Sequence, residues 1–351
     1  MHVKKLNRCY ILLLFLFFIL SCKKDKPLIP GPDKTPEVSP KGGVFVVNEG
    51  NFQWGNASLG YYNNDNNSYS DDIFSKVNGR PLGDVFQSME IINGKAYLII
   101  NNSGKIEVIN VPDFKSVATI SGLVSPRYIQ SINKTKAYVT DFAANSIAVI
   151  DLTSHTITKH IPCKGFTEEL LLSNEKVFVT NLKSEYVYVI NPTTDAITDS
   201  IKTGYASGSI KKDKNGKLWI LCRGESTSNR PGSLHRINPL TNQVEYSVYY
   251  QQADQNPKKL RINSEGDLLY FLNKGVCRIS INNPQLTDKP FIDEGKSTFY
   301  GLGIEPATGN IFISDAIDYI QKGKIMKYKP DGVFIESFNA GIIPGNFCFY
   351  K

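Results

Sequence analysis

A short apolar strand pattern with one aromatic residue recurs seven times along the 351-residue chain. The copies read GGVFVVN, GKAYLII, TKAYVTD, EKVFVTN, GKLWILC, GDLLYFLN and GNIFISD, and their aligned aromatics are Phe45, Tyr97, Tyr138, Phe178, Trp219, Tyr270 and Phe312. Most intervals between consecutive aromatics are 40 to 42 residues, whereas the first and fifth are 52 and 51. A period of about 40 to 45 residues is typical of β-propeller blades.

Each repeat also contains a predicted order of four short strands. In the third repeat the strands are predicted at 128–132, 136–141, 146–151 and 157–161, with polar turns between them. The chain has 18 Tyr and 19 Phe but only 3 Met, which favours sheets over helical packing. The sequence therefore predicts an all-β fold, a seven-bladed β-propeller with four-stranded blades.

The two ends of the repeat region predict how the ring closes. The first repeat begins at its second strand, 44–48, and lacks an innermost strand, while residues 342–350 form a spare strand after the seventh repeat. We expect the C-terminal strand to complete the first blade, because this removes the free sheet edges of an open ring. Residues 43–351 are thus predicted to be one propeller domain.

The N-terminus has the pattern of a bacterial lipoprotein signal peptide. Basic residues precede an apolar run at 10–20, which is too short to span a bilayer. The run ends in Ile-Leu-Ser-Cys, which resembles a lipobox and predicts removal of residues 1–21 and lipidation of Cys22. An ordinary secretory signal is the alternative. Residues 22–42 are rich in Pro and Lys and are predicted to be a lipidated tether. These features predict an exported protein that is anchored to a membrane by lipid.

The charge and the cysteines exclude two classes of site. The net charge is +7, but the leader accounts for three of these charges and the tether for two, so the propeller gives no support for nucleic-acid binding. The remaining cysteines contain no C-x-x-C pair, which argues against zinc. We expect free buried thiols, although an exported protein can also form disulfides, and the pairing stays open for Cys163, Cys222, Cys277 and Cys348.

Propeller geometry predicts where a ligand binds. Loops before the first strand and after the second strand of each blade share one face around the channel, and both insertions, 51–60 and 224–232, fall there. For Asn and Asp in these loops the alternative is a structural role in the turn, and for the aromatics it is packing. The candidate ligand-binding residues are Asn51, Phe52, Trp54, Asn101, Arg127, Tyr128, Phe142, Asn181, Arg223, Tyr300, Asp315 and Tyr319.

Signals for catalysis are absent from the sequence. The three His beyond the leader, His155, His160 and His235, fall at different strand positions, which argues against a three-His metal site. No nucleophile elbow or P-loop is present. We therefore expect a non-enzyme with neither catalytic residues nor a catalytic cofactor. A metal held by Asp141 and Asp315 on the channel axis, as in propeller lactonases, is the alternative.

Two resemblances narrow the function. Residues 136–161 and 176–201 resemble the YVTN-type propeller repeat, which implies only the fold. Seven further segments resemble the cell-surface vitamin B12-binding propeller lipoproteins of Bacteroidota, the BtuG family. They are NEGNFQWGNASLGYY (48–62), LGDVFQSM (82–89), INNSGKIEVI (100–109), GLVSPRYI (122–129), FYGLGIEP (299–306), DAIDYIQKGKI (315–325) and GIIPGNFCF (341–349).

The second resemblance implies a ligand, a partner and a location. It implies a surface lipoprotein that binds cobalamin very tightly and passes it to a TonB-dependent outer-membrane B12 transporter. The rival functions are a glycan- or other nutrient-binding propeller and a propeller lactonase or lyase. The preferred corrinoid, the ligand contacts, the transporter interface and the membrane leaflet stay open at this point.

Overall fold

The computed structural model describes residues 42–350. The predicted leader (1–21), the predicted lipid site Cys22 and the tether up to residue 41 lie outside the described residues. Within 42–350 the chain forms a seven-bladed β-propeller, and each blade is a four-stranded antiparallel sheet. The fold class predicted from the repeat is therefore confirmed.

The strands of the first four blades run in order from the channel to the outside. Blade 1 contains β28 (Pro344–Tyr350), β1 (Gly43–Asn48), β2 (Ser58–Asn63) and β3 (Ser68–Ser70). Blade 2 contains β4 (Phe86–Ile92), β5 (Lys95–Ile100), β6 (Lys105–Asn110) and β7 (Ser116–Ser121). Blade 3 contains β8 (Pro126–Ser131), β9 (Lys136–Asp141), β10 (Ser146–Asp151) and β11 (Thr156–Pro162). Blade 4 contains β12 (Thr167–Ser173), β13 (Lys176–Asn181), β14 (Tyr186–Asn191) and β15 (Ala196–Lys202).

The last three blades follow the same order. Blade 5 contains β16 (Ser207–Lys212), β17 (Leu218–Cys222), β18 (Ser233–Asn238) and β19 (Gln243–Tyr249). Blade 6 contains β20 (Lys258–Ile262), β21 (Leu268–Leu272), β22 (Gly275–Ser280) and β23 (Ile292–Asp293). Blade 7 contains β24 (Phe299–Ile304), β25 (Ile311–Asp315), β26 (Lys322–Tyr328) and β27 (Phe334–Ile342). In blade 3, β9 and β10 have the predicted bounds, while β8 begins two residues before the predicted start.

The ring closes as predicted, because the C-terminal strand completes the first blade. Strand β28 pairs antiparallel with β1, with Phe45 opposite Cys348 and Val46 opposite Phe347. The first and last segments of the propeller therefore share one sheet. Every blade then has an inner strand next to the channel, and the described part of the chain contains the whole ring.

The extra residues of the two long repeats lie in loops. The fifth repeat has its insertion between β17 and β18, where a 3-10 turn covers Ser226–Ser228. The insertion of the first repeat was expected at 51–60, but it is divided between 49–57 and 71–85, and residues 58–60 belong to β2. The second part contains α1 (Ile73–Asn78), which begins after an Asp72 side chain that accepts from the Ser75 amide. Neither helix in residues 42–350 is long and apolar enough to cross a membrane.

The core consists of apolar layers between neighbouring blades. The seven aligned aromatics are all buried, and Trp219 also donates from Nε1 to Asp213 Oδ2 at 2.8 Å. Cys163, Cys222, Cys277 and Cys348 are free thiols, as expected. Inner strands start, and second strands end, on one face of the ring, here called the upper face. The candidate residues predicted from the loops therefore lie on this face, except Tyr128, which lies further along β8.

Candidate functional site

A β-bulge lies at the start of every inner strand on the upper face. In each blade the pairing register shifts at the first residues of the inner strand, so its second residue is left out of the ladder, and in blades 3, 4, 6 and 7 its third residue is left out as well. A bulge redirects the side chain of the unpaired residue. The residues at this position are Gln87, Arg127, Glu168, Gly208, Lys259, Tyr300 and Gly345.

The two glycines at this position leave space that other side chains fill. A Cβ atom on Gly208 would lie 3.1 Å from Arg223 Nε, and a Cβ on Gly345 would lie 2.2 Å from Glu49 Oε1. Arg223 and Glu49 follow the second strands of the same blades, so each blade contributes one functional side chain at the channel opening. We call this set the mouth ring: Glu49, Gln87, Arg127, Glu168, Arg223, Lys259 and Tyr300.

One side of the mouth ring is organised by an ion pair. Arg127 donates from Nε and Nη2 to the two Glu168 oxygens, both at 2.7 Å, and from Nη1 to Gln87 Oε1. The exposed fractions of the two charged side chains are 17% and 2%. Burial alone would lower the pKa of Arg127, but the Glu168 carboxylate raises it above the ordinary value. Arg127 therefore stays charged and fixed in place.

The other side of the mouth ring joins blades 6, 7 and 1. Tyr300 donates from its hydroxyl to Glu49 Oε2 at 2.9 Å, and Lys259 Nζ donates to Gly345 O at 3.0 Å. Burial raises the pKa of Glu49, although Lys259 opposes the shift. Burial also lowers the pKa of Lys259 to about 8, although the Glu49 carboxylate opposes it. Perturbed pKa values of this kind are common at functional sites.

The backbone of the upper face is strained at several positions. Non-glycine residues with positive φ include Val85 (58°), Ala206 (60°), Lys259 (60°), Tyr319 (62°) and Ile343 (50°). Val85, Ala206 and Ile343 directly precede inner strands, and Lys259 is itself a bulge residue. For β-branched residues such as Val85 and Ile343 this conformation is unfavourable, and such outliers cluster at functional sites.

Exposed aromatics form a rim outside the mouth ring. The exposed fractions of Phe52, Trp54 and Tyr319 are 62%, 77% and 41%. Tyr319 packs edge-on against Tyr300 with ring centroids 5.5 Å apart. Phe142 is half-buried, contacts Phe166 at 4.1 Å between centroids and lies 5.5 Å from the Arg127 guanidinium. The exposed aromatics of the rim therefore belong to loops of blades 7 and 1, whereas Phe142 packs beside the Arg127–Glu168 ion pair.

Four predicted amide and carboxylate residues are used by the loops themselves. Asn51 donates to Tyr319 O at 2.7 Å, and Asn101 donates to Ser125 Oγ and Pro126 O. The fully buried Asn181 side chain donates to Lys164 O and accepts from the Phe166 and Lys183 amides. Asp315 accepts from the Thr298 and Ile317 amides. These side chains fix the loops that hold the mouth ring, as the alternative of a turn role anticipated.

Comparisons with known proteins agree with this architecture. A family model described as a domain of unknown function, DUF5074, matches residues 42–332. The chain belongs to the DUF5074 family. No curated protein sequence matches it.

Solved structures resemble this DUF5074 protein in fold. A quinonprotein alcohol dehydrogenase-like protein from Bacteroides thetaiotaomicron has a TM-score of 0.70 and 17% identity, over 88% of this chain and 78% of its own. A putative 6-phosphogluconolactonase from Bacteroides fragilis has a TM-score of 0.66 and 11% identity, over 90% and 100%. Virginiamycin B lyase from Staphylococcus aureus has a TM-score of 0.60 and 15% identity, over 74% and 87%. At these identities the likeness shows the fold alone.

The channel of the DUF5074 protein continues below the mouth ring into a second polar layer. A cavity of about 260 Å³ is lined there by Tyr128, Glu90, Glu169, Lys211 and Arg261, among others. Glu169 contacts Lys211 at 2.7 Å and Arg261 at 3.4 Å. The Glu90 side chain is exposed to the channel, where desolvation by the surrounding wall raises its pKa to about 7, although Lys211 opposes the shift. The candidate Tyr128 thus lies in the lower layer, separate from the rim.

Metal-binding geometry is not found in the part of the chain that the structure describes. Residues 42–350 contain no group of three or more His, Cys, Asp or Glu placed to hold a metal ion. His235 is buried between Ser233 Oγ at 2.9 Å and Ser247 Oγ at 2.8 Å. Asp141 accepts from the Val124 and Ser125 amides, in the same loop-fixing role as Asp315.

The sequence-based candidate set omitted several residues of the mouth ring. Glu49, Gln87, Glu168 and Lys259 were not among the candidates, whereas Arg127, Arg223 and Tyr300 were. The missing signal was the alignment of inner strands. Contacting inner-strand residues lie about one repeat apart, as for Arg127 with Glu168 (41 residues) and with Gln87 (40 residues). Aligning the second residue of each inner strand would have found the ring.

Proposed function

We propose that this DUF5074 protein is a lipid-anchored surface protein that captures vitamin B12 or related corrinoids. In the proposal it delivers them to a TonB-dependent outer-membrane transporter. The ligand, the partner and the location come from the resemblance of the sequence to the BtuG family. The structure contributes the site, which we take to be the mouth ring with its aromatic rim.

The observation that carries the proposal is the position of the segments of resemblance. All seven contribute to the upper face: their residues there are Glu49, Gln87, Asn101, Arg127, Tyr300, Tyr319 and Gly345. Loop sequence on a propeller is not required by the blade pattern. Because every segment includes an upper-face position as well as strand residues, the similarity extends to the opening and supports a shared ligand in addition to a shared fold.

The chemistry of the site suits a corrinoid. Cobalamin is a broad disc fringed with amide side chains, which both donate and accept hydrogen bonds. The mouth ring offers carboxylate and amide oxygens together with guanidinium, ammonium and phenol donors. Phe52 and Trp54 expose apolar rings beside it. Aromatic side chains contribute large contact areas at a small cost in conformational entropy.

A site for tight binding should be formed before the ligand arrives. The Arg127–Glu168 pair, the Tyr300–Glu49 hydrogen bond and the loop contacts of Asn101 and Asp315 hold the mouth in place. Little reorganisation energy is then lost on binding. This rigidity supports capture of a ligand that is later passed on unchanged.

We propose binding without catalysis. The comparison structures include a protein named as a putative lactonase and a lyase, so an enzyme is the main rival. Purified residues 42–351 should be analysed for bound divalent metal. A stoichiometric metal on the channel axis would favour the enzyme and count against the proposal.

The decisive experiment is a titration of residues 42–351 with cyanocobalamin, followed by desalting. The proposal expects a coloured protein peak with one ligand per chain. A colourless peak would refute the B12 function, and binding of a glycan in its place would support the nutrient-binding rival.

Matched alanine variants test the location of the site. We expect Trp54→Ala to weaken cyanocobalamin binding by about 30-fold, as for an aromatic hot spot of about 2 kcal/mol. Phe334→Ala is the control, because Phe334 is 52% exposed but lies on the outer strand β27. Equal affinities in the two variants would place the ligand elsewhere on the protein.

The location needs its own test. Cys22→Ser should prevent lipidation, so the variant should appear in the soluble fraction, whereas the natural chain should remain with the outer membrane. Protease treatment of intact cells should then remove the natural protein if it is on the surface. Protection from protease would contradict surface display.

A further inference from the structure

We propose that Arg223, Lys258 and Lys259 form a subsite for a monoanionic oxyanion, specifically a phosphodiester. We call these residues the cation cluster. They belong to blades 5 and 6, outside all seven segments of resemblance to the BtuG family. The inference that the group is the phosphodiester of a corrinoid nucleotide loop rests on the proposed function, whereas the anion site itself does not.

Arg223 reaches the channel opening because blade 5 has no side chain at its bulge. Gly208 occupies that position, and a Cβ atom there would lie 3.1 Å from Arg223 Nε and 3.7 Å from its Cζ. The guanidinium therefore lies over the bare backbone of β16. Any larger residue at 208 would displace it.

One hydrogen-bond donor of the Arg223 side chain lacks an acceptor. Its Nε atom is buried and has no hydrogen-bond partner among the described residues. Buried donors are nearly always satisfied, and leaving one without a partner is costly. The Arg223 side chain as a whole is only half-buried, and phosphate oxygens are among the acceptors to which a guanidinium hydrogen-bonds best.

The two lysines extend the positive region toward blade 7. Lys258 Nζ and Lys259 Nζ lie 5.6 and 5.5 Å from the centre of the Tyr300 ring. Both ammonium groups therefore lie beside Tyr300 of the mouth ring. A polar cavity of about 200 Å³ beside them is lined by Lys258, Asn273 and Glu294, among others.

No carboxylate of the described residues lies close enough to form an ion pair with the cation cluster. Within residues 42–350, no member of the cluster forms an ion pair with Asp or Glu. The nearby carboxylates have other partners, since Glu49 accepts from Tyr300, Glu168 from Arg127, and Glu294 from the Phe299 amide at 2.5 Å.

The three charges also oppose one another. Burial lowers the pKa of Lys258, and the charge of Arg223 lowers it further. Burial also lowers the pKa of Lys259; the Glu49 carboxylate opposes this shift, while Arg261 and, more weakly, Arg223 add to it. Holding like charges together is unfavourable for folding, and an anion would relieve the repulsion. Cations and neutral ligands would not.

The first test uses dimethyl phosphate and does not depend on corrinoid binding. Residues 42–351 should broaden its phosphorus NMR signal, and Arg223→Gln should weaken the binding about tenfold. Lys274→Gln is the control, because Lys274 lines the cavity next to Lys258 but already pairs with Asp254 at 3.0 Å. Absence of broadening, or equal losses in the two variants, would overturn the proposal.

The second test asks whether the phosphodiester belongs to a corrinoid. Cyanocobalamin contains the phosphodiester, whereas dicyanocobinamide lacks it. We expect Lys258→Gln to weaken cyanocobalamin binding about tenfold and to leave dicyanocobinamide binding unchanged. Equal losses for both ligands would overturn the assignment. If the natural protein binds dimethyl phosphate but neither corrinoid, the anion site is supported and the proposed function fails.

Discussion

The Arg127–Glu168 pair gives a quantitative test of how the mouth is held. Glu168→Gln removes one charge but keeps the shape of the side chain. The Glu168 side chain is 2% exposed and accepts two hydrogen bonds of 2.7 Å from Arg127. Removing one partner of a buried pair leaves the other charge uncompensated, which costs about 3 to 5 kcal/mol. Because Arg127 keeps its bond to Gln87 and is 17% exposed, we expect the lower end, about 3 kcal/mol.

Urea denaturation of residues 42–351 measures this loss in the free energy of unfolding. Asp254→Asn is the control, since it breaks a surface pair whose side chains are 62% and 56% exposed, which should cost at most about 1 kcal/mol. A double variant, Arg127→Met with Glu168→Met, should recover most of the loss because it leaves no buried charge unpaired. If Glu168→Gln costs no more than Asp254→Asn, the pair does not hold the mouth and the reasoning is wrong.

Three further predictions concern the propeller itself. Burial lowers the pKa of His235 to about 4, below the ordinary value of about 6.5, so its contribution to stability is complete above pH 6.5 and is lost as the pH falls toward 4. His235→Gln should remove about 3 kcal/mol of this acid sensitivity in urea titrations at pH 7 and pH 4, and an unchanged pH dependence would contradict the assignment. Deleting residues 344–351 should expose the edge of β1 and cause aggregation, which light scattering would detect. A monomeric, folded product would be inconsistent with closure of the ring by β28. Burial raises the pKa of the Cys163 thiol to about 12 and that of the Cys222 thiol to about 11. Neither thiol should therefore react with a thiol reagent until urea unfolds the chain. Rapid labelling of the native protein would show that the core opens.

The fold could be predicted because the apolar strand pattern with one aromatic residue occurs seven times in the sequence. Each buried aromatic, such as Tyr138 or Trp219, sits at the same place in its blade and is less than 2% exposed. Such a repeat averages out the local ambiguity of a single short strand. The predicted strand bounds were least accurate where a β-bulge disturbs the apolar pattern of a strand. Strand β8 is an example, because it begins at Pro126 and its pairing register shifts before Ile129.

The site was harder to predict because its residues follow no composition rule. The bulge position holds Gln, Arg, Glu, Gly, Lys, Tyr and Gly in successive inner strands from β4 to β28. The sequence-based candidates came mainly from loops after second strands, where Asn101, Asn181 and Asp315 serve the turns. Turn formation and ligand binding select the same residue types, so chemistry alone does not separate them. The exposed fraction of each side chain separates the two roles in the structure, because Asn181 has no exposed surface while Trp54 is 77% exposed.

Strain and hydrogen bonding together explain why the mouth keeps one shape. Residues such as Val85 and Ile343 adopt positive φ values at a cost of about 1 to 3 kcal/mol each. Each is held by a backbone bond from the residue after a second strand, from the Asn101 amide to Val85 O at 2.7 Å and from the Glu49 amide to Ile343 O at 2.9 Å. The same bonds join the loop before an inner strand to the loop after the second strand of its blade. Since blade packing must already be in place to hold these conformations, the mouth forms with the fold and needs no ligand to shape it.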